Sequence, residues 1–259
     1  MCRRYVEVSR MNSAQAAKIL WESEYVVCLS GREMIVDDGI ESMRDMMTAY
    51  EIEMKYGYSP EEVFSARFFN NRTELFYKFY REEVLAQDKE PGAAFTALAQ
   101  MDRMGIVKST ITRQLYNFPK RAGCGRVFNL HGNIHENNCC PHCNREYPVE
   151  YLKTSGKVPV CEDCRVPIHP GVRLLGEMVD IGVISQAAEE VSKADTLLLV
   201  GMNMRRALVQ QFKSYYRGHR IILIHEHEHF SDKEADYVIT ANTETVMTQI
   251  AEELQKMQK

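Results

Sequence analysis

Two CxxC pairs constrain this chain more than any other feature. They are Cys140-Pro-His-Cys143 and Cys161-Glu-Asp-Cys164, with residues 144–160 between them. Each CxxC makes a tight knuckle, and two knuckles at this spacing bring four thiolates into a tetrahedron. The expected ligand set is Cys140, Cys143, Cys161 and Cys164, and the expected metal is zinc. Cys139 is passed over because only Cys140 leaves two residues between ligands. Four protein ligands close the coordination sphere, so this zinc should hold structure and carry no chemistry. Disulfides are the competing use of the sulfurs. The chain opens Met1-Cys-Arg-Arg-Tyr5, charged and without the apolar stretch of a secretion signal. That start argues for a reducing, cytoplasmic setting, where disulfides are rare.

Composition narrows the class further. The 259 residues, 45% of them hydrophobic, suit one large domain or a domain carrying an inserted module. A net charge of −4 and a pI near 6.1 offer no basic surface, so nucleic acid is not an expected partner. Apolar runs such as Thr196–Gly201 and Ile221–Ile224 are far too short to span a bilayer, so no membrane is expected either. Oligomeric state is not legible.

Along the chain, Asn12-Ser-Ala-Gln15 reads as a capping box opening a helix to about Glu22. Tyr25–Ser30 reads as a buried strand ended by Gly31. Strand, glycine and then helix is the opening of a nucleotide-binding βα unit. Residues 41–87 read as helical, with Ser59-Pro-Glu-Glu62 as a helix start. Phe68, Phe69, Phe76, Phe79 and Tyr80 follow at helical spacing and are expected in its core. Another helix is expected over Pro91–Met104, a strand over Gly105–Thr112, and a short strand, Val127–Leu130, that delivers His131. After the cysteines, helices near 183–194, 205–216 and 244–259 alternate with strands at 196–200, 221–224 and 237–239.

Short apolar strands alternating with helices give an α/β fold: a Rossmann-like, doubly wound parallel sheet with a small domain of zinc ribbon plus helical insert. Residues 1–40, 88–132 and 169–259 are assigned to the nucleotide-binding domain. Residues 41–87 and 133–168 are assigned to the small one. Ligands in such sheets sit at the carboxyl ends of strands. Ser30-Gly31, His131 and Gly201 all fall at predicted strand ends. His225-Glu-His-Glu-His229 would place its histidines on one strand face, but it lacks the spacing of a hydrolase helix and is expected as a solvated strand end or loop.

This order of motifs resembles the sirtuin family of NAD-dependent protein deacylases, over about residues 13–254. Ala122-Gly123 followed by Val127-Phe-Asn-Leu-His-Gly132 is similar to the stretch carrying the family's catalytic histidine. The paired CxxC sits at its zinc position. Pro170-Gly-Val-Arg-Leu-Leu-Gly-Glu177 resembles its segment ending Phe-Gly-Glu, and Ala194–Gly201 the strand before its Gly-Thr-Ser turn.

The resemblance implies NAD as cofactor and an acylated protein or peptide as substrate. It implies His131 as the base that takes a proton from a ribose hydroxyl, a task suited to an imidazole. It assigns Ser30, Gly31, Arg32, Arg44, Gln114, Gly201 and Asn203 to the cofactor. It assigns Val172, Leu175, Gly176 and Glu177 to the substrate, paired with it as an added strand.

The departures concern NAD. The Gly-Ala-Gly phosphate turn stands here as Gly31-Arg32-Glu33, which puts a carboxylate where the backbone should approach pyrophosphate closely. Pro-Asp-Phe-Arg keeps only Arg44. Thr-Gln-Asn-Ile-Asp becomes Thr112-Arg113-Gln114-Leu115-Tyr116, losing its acid at Tyr116. Gly-Thr-Ser becomes Gly201-Met202-Asn203. Three functions therefore stay open: a deacylase or ADP-ribosyl-transfer enzyme with an unusual cofactor pocket; a catalytically impaired nucleotide- or protein-binding regulatory module; and a relative acting on another nucleotide, with Arg32 and Arg113 reading an extra phosphate.

Overall fold

The structure, a computed structural model, describes residues 9–37, 39–43 and 45–258. Among these residues, seven strands form one sheet: β1 (Ser9–Arg10), β2 (Val26–Ser30), β3 (Val107–Thr112), β4 (Val127–Asn129), β5 (Thr196–Val200), β6 (Arg220–His225) and β7 (Tyr237–Thr240). Their order is β1-β7-β6-β5-β2-β3-β4, and every pairing is parallel.

The central strands are apolar throughout because both of their faces are covered. All five residues of β2 and all five of β5 are buried. Alternate residues serve two cores. Val26, Cys28, Leu198 and Val200 face one, while Val27, Leu29, Leu197 and Leu199 face the other. The chain runs from β2 outward to β3 and β4, then returns to the other side of β2 as β5, β6 and β7. The strand order thus reverses between β2 and β5, and that is where a sheet of this kind opens its ligand crevice.

The first helix, Ser13–Trp21, starts with the expected capping box: the Gln15 amide nitrogen donates to Asn12 Oδ1, and the Asn12 amide nitrogen to Gln15 Oε1, each at 2.9 Å. The segment expected to be helical over 41–87 is instead a series of short pieces: Met46–Tyr56, Pro60–Val63, Ala66–Asn71, Thr73–Phe79 and a π-helical turn at Tyr80–Val84. The breaks have local causes. Gly57 takes a left-handed conformation (φ 77°) that ends one helix. The Ser59 and Ser65 hydroxyls accept from Glu62 and Phe68 amides and restart the chain. Phe68, Phe69, Phe76, Phe79 and Tyr80 are all buried.

This helical segment is clamped to the cysteine segment. The Arg81 guanidinium donates to the carbonyls of Leu152, Ser155 and Gly156, each at 2.7 Å, and Tyr77 donates to Ile168. The two-residue strand β1 and the short helices Phe118–Arg121 and Val149–Thr154 were not expected; each is too short to carry a periodic signal. Among the described residues, no helix is long and apolar enough to cross a membrane.

Candidate active site and metal centre

The four expected cysteine sulfurs lie within 4.8 Å of one another. Both knuckles are built alike. The amide after each CxxC bonds back to its first cysteine: Asn144 N to Cys140 O and Arg165 N to Cys161 O, each at 2.9 Å. Asn144 and Arg165 both adopt positive φ, 59° and 60°, to close the turn. Cys143 and Cys161 sulfurs are 3.7 Å apart. Four sulfurs at the usual Zn–S distance sit about 3.8 Å apart in a tetrahedron, so the donor set fits zinc. The Tyr147 hydroxyl and nearby backbone amides donate to the Cys161 sulfur and bring its thiol down to about 6, which favours the thiolate. Cys139 stays outside the cluster, its backbone paired with Glu146 and His169.

The histidine run gathers no such cluster among the described residues. His225 Nε2 faces Asp232 at 3.2 Å, and His229 Nδ1 contacts the Ser231 hydroxyl at 2.7 Å.

A cleft of about 430 Å³ opens at the carboxyl ends of β2, β3 and β4. His131, carried in just after β4, forms part of its wall. The His131 amide donates to Asn129 Oδ1 at 3.3 Å, and its carbonyl accepts from Arg173 N at 2.7 Å. Gly132 fixes this position: its φ is +67°, and a Cβ there would stand 2.1 Å from the Gly171 carbonyl oxygen. The segment 171–177 is thereby laid alongside His131.

Gln114 ties two strand ends together. Its amide nitrogen donates to Ser30 Oγ at 2.9 Å and to Gly31 O at 2.8 Å. Its carbonyl oxygen Oε1 is buried with no hydrogen-bond partner. Tyr116 is 5% exposed and stacks on Phe118, with ring centroids 5.6 Å apart. Its hydroxyl donates to the Val84 carbonyl at 3.2 Å, and burial raises its pKa, so this wall of the cleft is neutral.

Residues 31–208 match the Sir2 family. The chain belongs to the Sir2 family. An NAD-dependent protein deacetylase of Clostridium acetobutylicum is 32% identical over 224 residues, 86% of this chain and 91% of that protein. The crystal structure of a Sir2 homologue–NAD complex superposes with a TM-score of 0.82 at 27% identity, covering 98% of each chain. A Sir2–p53 peptide–NAD+ structure does so with a TM-score of 0.78 at 25% identity, covering 94% of this chain and 98% of that one.

In this Sir2-family chain the cleft gathers six of the residues assigned from sequence to catalysis, cofactor or substrate, Arg32, Gln114, His131, Leu175, Gly176 and Glu177, together with Arg113 and Tyr116. Ser30 lies buried behind Gln114. Gly31 and Gly201 do not line the cleft but meet backbone to backbone at the ends of β2 and β5, and Val172 is 1% exposed in the core. Asn203 folds the turn after β5, with its Oδ1 accepting from Arg205 N at 3.0 Å. Arg44 lies outside the described residues.

The segment expected to meet substrate is held by bonds of its own. Glu177 spends both oxygens within its own segment, one on His169 Nε2 at 2.7 Å and one on Leu174 N at 2.8 Å. The Leu175 backbone is already paired, donating to Phe64 O and accepting from Ala66 N, each at 3.0 Å. Ile35, Ile40, Met43, Phe64 and Val179 also line the cleft and were not foreseen. They are ordinary apolar residues in sequence, and only the fold turns them toward a shared space.

Proposed function

We propose that this protein is an NAD-dependent protein-lysine deacylase acting on acylated proteins or peptides. The observation that carries the reading is His131, held by its own backbone at the wall of a largely apolar cleft that it shares with Gln114, Leu175 and Gly176. Two features favour a dinucleotide beside it. Gly31 and Gly201 let the ends of β2 and β5 close backbone to backbone at the point where the strand order reverses, and Gln114 Oε1 is a buried acceptor still without a donor. The Glu33 side chain reaches past this junction to the Glu226 amide.

NAD, when bound, would supply an electrophilic ribose carbon with nicotinamide as its leaving group. The work left to the chain is placement and proton movement. A ring nitrogen of His131 takes the proton of a ribose hydroxyl, which an imidazole does near neutral pH without a strong driving force. Gln114 holds the ends of β2 and β3 in register through Ser30 and Gly31, so the ribose meets a fixed wall. Ile40, Met43, Phe64 and Leu175 give an acyl chain an apolar path and keep water from it. Ser30, Gly31, Arg32, Arg44, Gln114, Gly201 and Asn203 are assigned to the cofactor. Val172, Leu175, Gly176 and Glu177 are assigned to the substrate, with Glu177 acting by shaping the Gly176 turn. Residues 41–87 and 133–168 make the small domain, in a protein of the cytoplasm.

The second reading, a nucleotide- or protein-binding module with impaired catalysis, is favoured by Tyr116. It is neutral, stacked and tied to Val84, and it puts no carboxylate in the cleft wall. Nicotinamide release from NAD in the presence of acyl-lysine peptides separates the two. Release by the wild type, with deacylated peptide formed, and loss of the deacylated peptide in His131→Ala with ADP-ribose binding retained, supports the enzyme. ADP-ribose binding without release supports the module.

A further inference from the structure

We infer that Glu33 occupies the diphosphate seat of the crevice and sets how tightly a dinucleotide binds. The inference rests on the reading of this crevice as an NAD site. In a doubly wound sheet, the turn after the first strand of the unit receives the pyrophosphate at the switch point, where bare backbone lets it approach. Here that turn is Gly31-Arg32-Glu33, at the switch between β2 and β5.

The turn is pressed onto the end of β5. Gly31 N donates to Val200 O at 2.8 Å, and Glu33 N donates to Gly201 O at 3.1 Å. A Cβ on Gly201 would stand 3.2 Å from the Glu33 Cβ and 2.9 Å from Met34 N, so the space over Gly201 admits no side chain of its own. The Glu33 side chain runs into that space and beyond. Its Oε2 accepts from Glu226 N at 3.1 Å, the first amide past β6. Because β6 lies on the far side of β5 from β2, the carboxylate crosses the end of β5 and lies over the crevice.

Two consequences follow for a dinucleotide. The Glu226 amide, the first donor past the carboxyl end of β6, is already used. A diphosphate laid on this turn would also meet a carboxylate in a partly buried setting, where like charges repel more than in water. Arg32 does not offset this charge directly, since its guanidinium is paired with Asp45 at 3.1 Å. The open cleft agrees: it is lined by Arg32 and His131, but neither Glu33 nor Gly201 borders it. The nicotinamide-side space is open, while the diphosphate side is closed by a side chain of the protein itself. Glu33 is therefore an internal competitor that must swing away before a dinucleotide lies down.

Calorimetric titration of the full chain with ADP-ribose tests this without reference to turnover. Glu33→Gly should bind at least tenfold more tightly than wild type. Glu33→Gln, which keeps the size and loses the charge, should bind at least threefold more tightly, and its advantage should shrink as salt is raised. Far-UV circular dichroism checks that each variant is folded. If Glu33→Gly does not fold, Glu33→Gln alone decides. Equal affinities within twofold, tightest binding by wild type, or no binding by any folded variant would each overturn the inference. Failure of the deacylase reading looks different: ADP-ribose affinity still rises in the variants, but no protein releases nicotinamide with an acyl-lysine peptide.

Discussion

The carbonyl oxygen of Gly201 lies 2.3 Å from where a Cβ on Gly31 would stand. Two turns from strands far apart in sequence, β2 and β5, meet there backbone to backbone. Gly31→Ala must push them apart, at a cost of about 1–3 kcal/mol, as overpacking a fitted contact usually does. Gly201→Ala carries a similar clash with Met34 N and adds a left-handed φ of +69°. Urea unfolding should place both well below wild type, with Gly57→Ala, where an added Cβ would meet nothing within 4 Å, as the reference for φ strain alone. A Gly31→Ala protein as stable as wild type would show that the contact relaxes freely.

Metal content should be about one zinc per chain, because one four-sulfur site closes a tetrahedron. Cys161→Ser should lose the metal and lower the melting temperature, with partial loss of helix signal, since binding free energy at such a site is folding free energy. Cys139→Ser should keep the metal, its sulfur lying outside the cluster. Elemental analysis and thermal unfolding, with and without chelator, give the readout. A zinc-free protein of full stability would refute the assignment.

Arg81→Ala should cost about 2 kcal/mol. One guanidinium serves four carbonyls, those of Leu152, Ser155, Gly156 and Lys157, and bonds from a charged donor are worth about 1.5–3 kcal/mol each before discounting for partial exposure. Arg81→Lys should recover little of the loss, because a single ammonium cannot fork across four acceptors. The same variants should surrender zinc to a chelator faster than wild type. Unchanged stability and unchanged zinc loss in Arg81→Ala would show that the helical and cysteine segments do not depend on this clamp.

The fold was legible where its signals are local. Five-residue apolar runs became β2 and β5, the Asn12–Gln15 box capped its helix, and CxxC spacing located four sulfurs. Residues 41–87 read as helical throughout because helical periodicity survives short breaks; the helix start at Ser59 was legible from its Ser-Pro-Glu-Glu run and is found there, whereas Gly57 and Ser65 mark breaks only when their backbone geometry is known. In the candidate site, His131 and Gly176-Glu177 stood out because their motifs are contiguous. Ile35, Met43 and Phe64 did not, since their shared cleft depends on long-range packing. The direction of the Glu33 side chain was also hidden, because it is set by an amide 193 residues away at Glu226.

The most direct test of the central claim is a mass balance on wild-type protein with NAD and a saturating acyl-lysine peptide. Nicotinamide and deacylated peptide should form in equal amounts, and neither should form when NAD or the peptide is left out. Nicotinamide formed in equal measure without peptide, or no deacylated peptide at any NAD concentration, would contradict a deacylase.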